Sequence, residues 1–332
     1  MIETFIYTLT PMLYLLCCMV IGYALRKSKI LPDNSGKTIA RLENWVFSPA
    51  LSFMTMANFC TLDTFSVHAT NITVSVIVML FALTLAIILS RVFVRKKCYD
   101  RGVYAYALMF GNFGFVGDAL VIAMFGDAFY AYYKLFSLPL LIFCYVWGIS
   151  ILVPNDKADK GFKSLAKRIF TPPTVALLLG VVVGLTGALD YFPEFAVTTL
   201  NSLKVCMGPL AMILAGVTVA GYSVKSMLTK KKVYAATAFR LLLLPAVLIA
   251  FTFTVMKLFE LGGVDVSQRV IYFVFFAYAA PLGLNTVVFP EAYGGDPETG
   301  ASMALISHTL CVLTIPVLYS LLLVIFGAPP LV

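Results

Sequence analysis

The stretch GNFGFVGDAL, Gly111–Leu120, lies inside an apolar run that otherwise reads as a membrane-crossing helix. Glycine is a poor helix residue, and a carboxylate at the centre of a bilayer costs ~2.5 kcal/mol or more. Three glycines, Asn112 and Asp118 in ten residues therefore mark a place where the helix is interrupted and something must compensate. The rest of the chain says what kind of protein carries such an interruption.

Of 332 residues 61% are hydrophobic and 12% charged, a balance of an integral membrane protein. Apolar runs separated by polar breaks predict about ten spans: 5–25, 38–57, 72–93, 102–125, 130–153, 172–191, 197–221, 233–257, 269–292 and 299–326. The second and seventh are the weakest, since Arg41 and Glu43 open one and Lys204 interrupts the other. About 20 of the 24 Lys and Arg fall in alternate connections, Arg26–Arg41, Arg91–Arg101, Lys157–Arg168 and Lys225–Arg240. The positive-inside rule then places these loops in the cytoplasm and both termini outside, in a multi-pass protein of the cell membrane. The net charge of +8 is thus a topology signal, and a nucleic-acid partner is not expected. The seven cysteines lie mostly in apolar runs without C-x-x-C spacing, which points away from disulfides and metals.

The longest basic loop separates five spans from five, so the second half must enter the membrane from the opposite side. This predicts an all-α membrane protein of two inverted five-helix repeats, residues 1–153 and 172–332, joined by a basic linker, 154–171. Short echoes recur in order: LTPMLYLL with FTPPTVALL, VFSPALSFM with CMGPLAMIL, AMFGDAF with EAYGGDP, and FSLPLLIF with LTIPVLYS. In that alignment GNFGFVGDAL falls opposite YAAPLGLNTV, Tyr278–Val287. Each half then carries one helix interrupted at a matching depth, by glycines in span 4 and by Pro281 with Gly283 in span 9. Backbone freed in this way survives in a membrane only where protein or a water-filled cavity satisfies it. Either interruption alone reads equally well as a kink; the matched pair points to a midplane binding site.

Asn112 and Asn285 offer neutral donors and acceptors suited to a carboxylate or an ion's shell, or to tying up broken backbone. Gly114, Pro281 and Gly283 bring main chain to the same place. Asp118 is open to three readings: a salt bridge with Lys134 or Lys204, a coupling-ion or proton site, or a group in an outward vestibule. His308, the only His within an expected span, reads as a packing residue or as a gating and proton site. GVVVG, Gly180–Gly184, is a close-packing face. Asn71 opens an N-x-T glycosylation triplet on the outer side.

Together, GYALRKSKIL closing span 1, SPALSF in span 2, GNFGFVG in span 4 and AAPLGLN in span 9 resemble the auxin efflux carrier family, with its plant carriers and bacterial permeases. The resemblance covers nearly the whole chain and implies a fold like that of bile-acid sodium symporters. Spans 1, 2, 6 and 7 would form a scaffold and a homodimer contact, and spans 3–5 with 8–10 a moving domain in which broken spans 4 and 9 cross. Family members usually carry a G-x-P in span 4, where this chain has Gly117-Asp118-Ala119. The long cytoplasmic loop of the plant carriers is missing, which argues against auxin.

The expected function is secondary active transport of small organic anions, malate- or malonate-like carboxylates, by alternating access. Asn112, Gly114, Pro281, Gly283 and Asn285 would bind substrate, and Asp118 and His308 would serve a coupling ion or proton. No cofactor is expected apart from coupling Na+ or H+, and no metal site. The alternatives are an intramembrane enzyme or a membrane sensor without transport activity. The chain lacks H-E-x-x-H, G-x-S-x-G and any acidic metal cluster, so catalysis has no motif to rest on.

Overall fold

A computed structural model describes residues 2–62, 65–95, 98–152, 170–221, 231–283, 285–287 and 298–330. The basic loop Lys157–Arg168, most of the expected linker, the EAYGGDP echo and the end of span 9 lie outside the described residues. Every regular element among the described residues is helical, and the only bridge between extended segments there joins Gly111 to Leu282.

The first half contains α1 (Ile2–Lys27), α2 (Ser35–Leu42), α3 (Ser48–Phe59), α4 (Phe65–Phe93), α5 (Tyr99–Met109), α6 (Asp118–Phe143) and α7 (Ile149–Leu152). The second contains α8 (Pro172–Thr186), α9 (Glu194–Ala220), α10 (Lys231–Ala238), α11 (Leu244–Leu261), α12 (Arg269–Ala279) and α13 (Glu298–Phe326). Single π-turns carry α2 into α3 (Glu43–Phe47) and α10 into α11 (Phe239–Leu243). Each is followed within two residues by a proline, Pro49 or Pro245, which cannot donate to the preceding turn.

Length and apolarity suffice for a crossing in five described segments: Val67–Phe93, Asp118–Gly148, Glu194–Ala220, Lys231–Leu261 and Glu298–Phe326. Asp118–Gly148 is not one straight rod. Gly126 takes φ 77°, a value that favours glycine, and Lys134 touches Asp118 at 2.5 Å. A straight helix would hold residues sixteen apart about 24 Å from each other. The chain therefore folds back at Gly126, where the sequence predicts the connection between spans 4 and 5.

Two groups of helices pack most closely. In one, α1 lies along α9 and α3 along α8, with α9 also against α3. Glycines set these distances: a Cβ at Gly180 would stand 2.5 Å from the Phe53 carbonyl and one at Gly184 2.5 Å from that of Cys60. The GVVVG face does pack helix against helix. In the other group, α4 packs on α5, α6 and α11, and α12 on α6 and α11. Its centre is aromatic: Tyr106, Phe110, Tyr130, Tyr133, Phe136, Phe273, Phe275 and Tyr278 are all fully buried. Apolar residues also face outward, as Val92, Val182, Val205, Leu313 and Ile325 do, which suits hydrocarbon as the surrounding solvent.

Two expectations about α4 need correction. It begins at Phe65, a full two turns before the expected 72, so His68 lies inside a helix and His308 is not the only such histidine. The missed stretch is polar in sequence, with Ser66, His68 and Thr70, and His68 is buried. There the His68 ring packs on Tyr132 at 4.6 Å between centroids. Asn71 is 1% exposed, so the folded chain offers no glycosylation acceptor at this triplet.

Candidate functional site

The helix α5 stops at Met109, and the chain runs extended through Phe110 (φ −111°, ψ 119°) before a π-turn at Phe113–Gly117 leads into α6. In the second half α12 stops at Ala279, with Ala280 extended at ψ 147° ahead of Pro281. Each of these helices has 11 residues and is about 16 Å long, half of a hydrocarbon core of about 30 Å. Gly111 and Leu282 pair as an antiparallel bridge, so the two interruptions meet. The approach is close there: a Cβ on Gly111 would run into Arg240 Nη2 and stand 3.0 Å from the Ala280 carbonyl, and one on Gly283 would stand 3.2 Å from the Gly111 carbonyl.

The backbone released by both breaks finds partners. The Asn112 amide donates to the Pro281 carbonyl at 2.6 Å, and the Asn112 carbonyl accepts from Val116 and Gly117, each at 3.0 Å. The Leu282 amide donates to Ser307 Oγ at 2.9 Å, and Tyr133 Oη donates to the Phe113 carbonyl at 3.2 Å. Buried main chain needs such partners, and in a membrane no solvent substitutes for them. The GNFGFVGDAL interruption is thus paid for by its counterpart in the other half and by α13.

The Asn112 side chain is buried and lies 3.3 Å from His308 Nε2. His308 Nδ1 is 2.7 Å from the Ala304 carbonyl, which can only accept, so Nδ1 carries the proton and Nε2 accepts from the Asn112 amide. Asp118 is wholly buried and accepts through Oδ2 from Lys134 Nζ at 2.5 Å and Tyr130 Oη at 2.9 Å, while Oδ1 has no partner among the described residues. Of the two expected bases, Lys134 is the partner and is itself buried. Lys204 pairs instead with Asp127 at 2.5 Å.

The structure brings Asn112, Pro281, Gly283 and His308 to one crossing. Asn285 stands apart: it is half-buried, and Nδ2 points to Cys144 Sγ at 3.6 Å, so the two matched asparagines do not face one another. Gly114 has open space where a side chain would go, in contrast to Gly111 and Gly117. No group of three or more metal-ligating side chains occurs among the described residues.

One residue of the crossing was read otherwise. Arg240 ends the fourth basic cluster, and its place there suggested a cytoplasmic loop. It lies instead in the π-turn between α10 and α11, 2% exposed, with Nη1 donating to the Leu108 carbonyl at 3.2 Å and Nη2 to the Ala280 carbonyl at 3.4 Å. Those carbonyls end α5 and α12, where each helix dipole leaves about half a negative charge. The signal in the sequence is the apolar stretch on both sides of Arg240, which separates it from Lys230–Lys232 by a helical segment.

The sequence model of the membrane transport protein family matches residues 7–319. An uncharacterized transporter of Methanocaldococcus jannaschii is 24% identical over 323 residues, which cover 91% of this chain and 95% of that protein.

Proposed function

The chain belongs to the membrane transport protein family, that of the auxin efflux carriers, and from this membership we propose that it is a secondary active transporter of small organic anions. The observation that carries the reading is the meeting of two interrupted segments at Gly111 and Leu282, one from each half of the chain. Paired interruptions near the midplane are where transporters built from inverted repeats hold substrate.

In this reading the chain crosses the cell membrane ten times as two inverted five-helix repeats, with the basic loops in the cytoplasm and both termini outside. The half-length α5 and α12 continue past their breaks to complete spans 4 and 9. Asn112, Gly114, Pro281, Gly283 and Asn285 bind the substrate, and malate- or malonate-like carboxylates fit their neutral donors. The group α1, α3, α8 and α9 is a static scaffold through which two copies associate, and the rest carries the crossing past it in alternating access. Asp118 and His308 serve a coupling Na+ or H+, for which the unpartnered Asp118 Oδ1 is the open ligand position.

Uptake of labelled malonate and malate into proteoliposomes tests the reading. Accumulation that Asn112→Ala abolishes supports it. Accumulation of neutral or cationic solutes, with carboxylates excluded, rejects it.

A further inference from the structure

The Arg240 guanidinium is a buried cation that no described carboxylate pairs with. Among the described residues its partners are the two main-chain carbonyls, and Nε has none. The buried carboxylate Asp118 pairs with Lys134 and not with Arg240. Nine residues into the candidate span Lys231–Leu261, Arg240 stands about 14 Å from its start, inside the apolar part of the segment. A lone guanidinium at that depth is costly, and carbonyl dipoles offset only part of its charge.

Thr237 precedes Arg240 by three residues, on the same face of the helix. It is 3% exposed, and its hydroxyl has no partner either. Both residues line one small cavity together with Leu108, Leu282 and Ser307, of about 10 Å³, room for about one water molecule. Two residues with unused donors, one of them cationic, thus line the same void beside the crossing of the two breaks.

We propose that Arg240 and Thr237 form a subsite for a carboxylate group of the transported anion. Arg240 supplies the charge and Thr237 a hydroxyl donor, while the Leu108 and Ala280 carbonyls hold the guanidinium in place. The inference rests on the organic-anion reading above and names residues that reading did not include. The void holds one oxygen, so a carboxylate enters as the helix ends separate during the transport cycle. A site built this way discriminates by charge, and an uncharged amide of the same shape leaves the guanidinium unpaired.

The test uses the full chain purified in detergent, with thermal unfolding followed against malonate, malate and acetate at constant ionic strength, each beside its diamide or amide. Wild type is expected to be stabilised by at least one carboxylate and not by its amide. Thr237→Val removes only an unpartnered hydroxyl. It should keep or slightly raise the ligand-free melting temperature and weaken carboxylate binding roughly ten-fold. Arg240→Gln should lose the carboxylate response altogether, and Arg240→Lys should keep a weakened one. If Thr237→Val and Arg240→Gln respond as wild type does while Asn112→Ala does not, the subsite is wrong and the anion reading stands. If wild type responds to none of the carboxylates, or equally to the amides, both fall. Should Arg240→Gln not fold, Thr237→Val alone decides: undiminished carboxylate binding by that variant overturns the subsite.

Discussion

The amide of Asn112 donates to the carbonyl of Pro281 across 2.6 Å, joining residues 169 positions apart at the one place where both of their helices are interrupted. Through this bond each break supplies part of what the other lacks. A helix opened by glycines in a membrane would otherwise leave polar backbone without partners. Several consequences can be measured.

Glycines of the crossing are not equivalent. A Cβ at Gly111 meets Arg240 Nη2 and comes within 3.0 Å of the Ala280 carbonyl, whereas one at Gly114 meets nothing within 4 Å. Gly111→Ala should lower stability by ~1–3 kcal/mol in thermal unfolding, through overpacking of a close backbone approach. Gly114→Ala should leave the melting temperature unchanged, so that any loss of uptake in this variant reports on the substrate's path. A destabilised Gly114→Ala protein beside an unaffected Gly111→Ala protein would reverse this assignment.

The Asp118–Lys134 pair separates a structural from a coupling role. Removing one partner of a buried ion pair strands the other charge and costs about 3–5 kcal/mol. Asp118→Ala should therefore unfold well below wild type, and adding Lys134→Met should recover most of the loss. Asp118→Asn preserves the shape of the site; it should alter the Na+ or pH dependence of uptake if Oδ1 holds the coupling ion. Uptake that depends on Na+ and pH as in wild type would restrict Asp118 to the salt bridge.

Glu43 presents the opposite case. It is fully buried in the π-turn between α2 and α3, and among the described residues neither carboxylate oxygen has a hydrogen-bond partner. Replacing an unsatisfied buried polar group by an apolar one of similar size removes a penalty of about 1–3 kcal/mol. Glu43→Met should accordingly raise the melting temperature. A lowered melting temperature would show that the carboxylate makes interactions essential to the scaffold.

Which features could be read from the chain follows from what leaves a trace in one dimension. The ends of α5 and α12 at GNFGFVG and AAPLG were legible because glycine and proline act locally on the helix that precedes them. The GVVVG face was legible for the same reason, since close helix approach requires small residues at that spacing. Arg240 was not, because its significance lies in two carbonyls contributed by distant helices, and beside Lys230–Lys232 it resembled one more topogenic charge. Lys134 and Lys204 were both legible as candidate partners of Asp118, and the fold-back at Gly126 decides for Lys134. Asn112 and Asn285 occupied matching places in the alignment, yet side-chain direction set one toward His308 and the other toward Cys144. His68 and Asn71 escaped because burial of polar residues against α6 and the neighbouring loops has no local signature.

The account turns on the claim that the crossing of the two breaks carries an organic anion through the membrane. Counterflow of labelled malate and malonate in proteoliposomes measures this most directly, comparing wild type with Asn112→Ala at equal reconstituted amounts. The account predicts exchange of a carboxylate by wild type, competition by unlabelled carboxylates but not by their amides, and loss of exchange in Asn112→Ala. Exchange that persists undiminished in that variant, or that is competed only by neutral or cationic solutes, would contradict it.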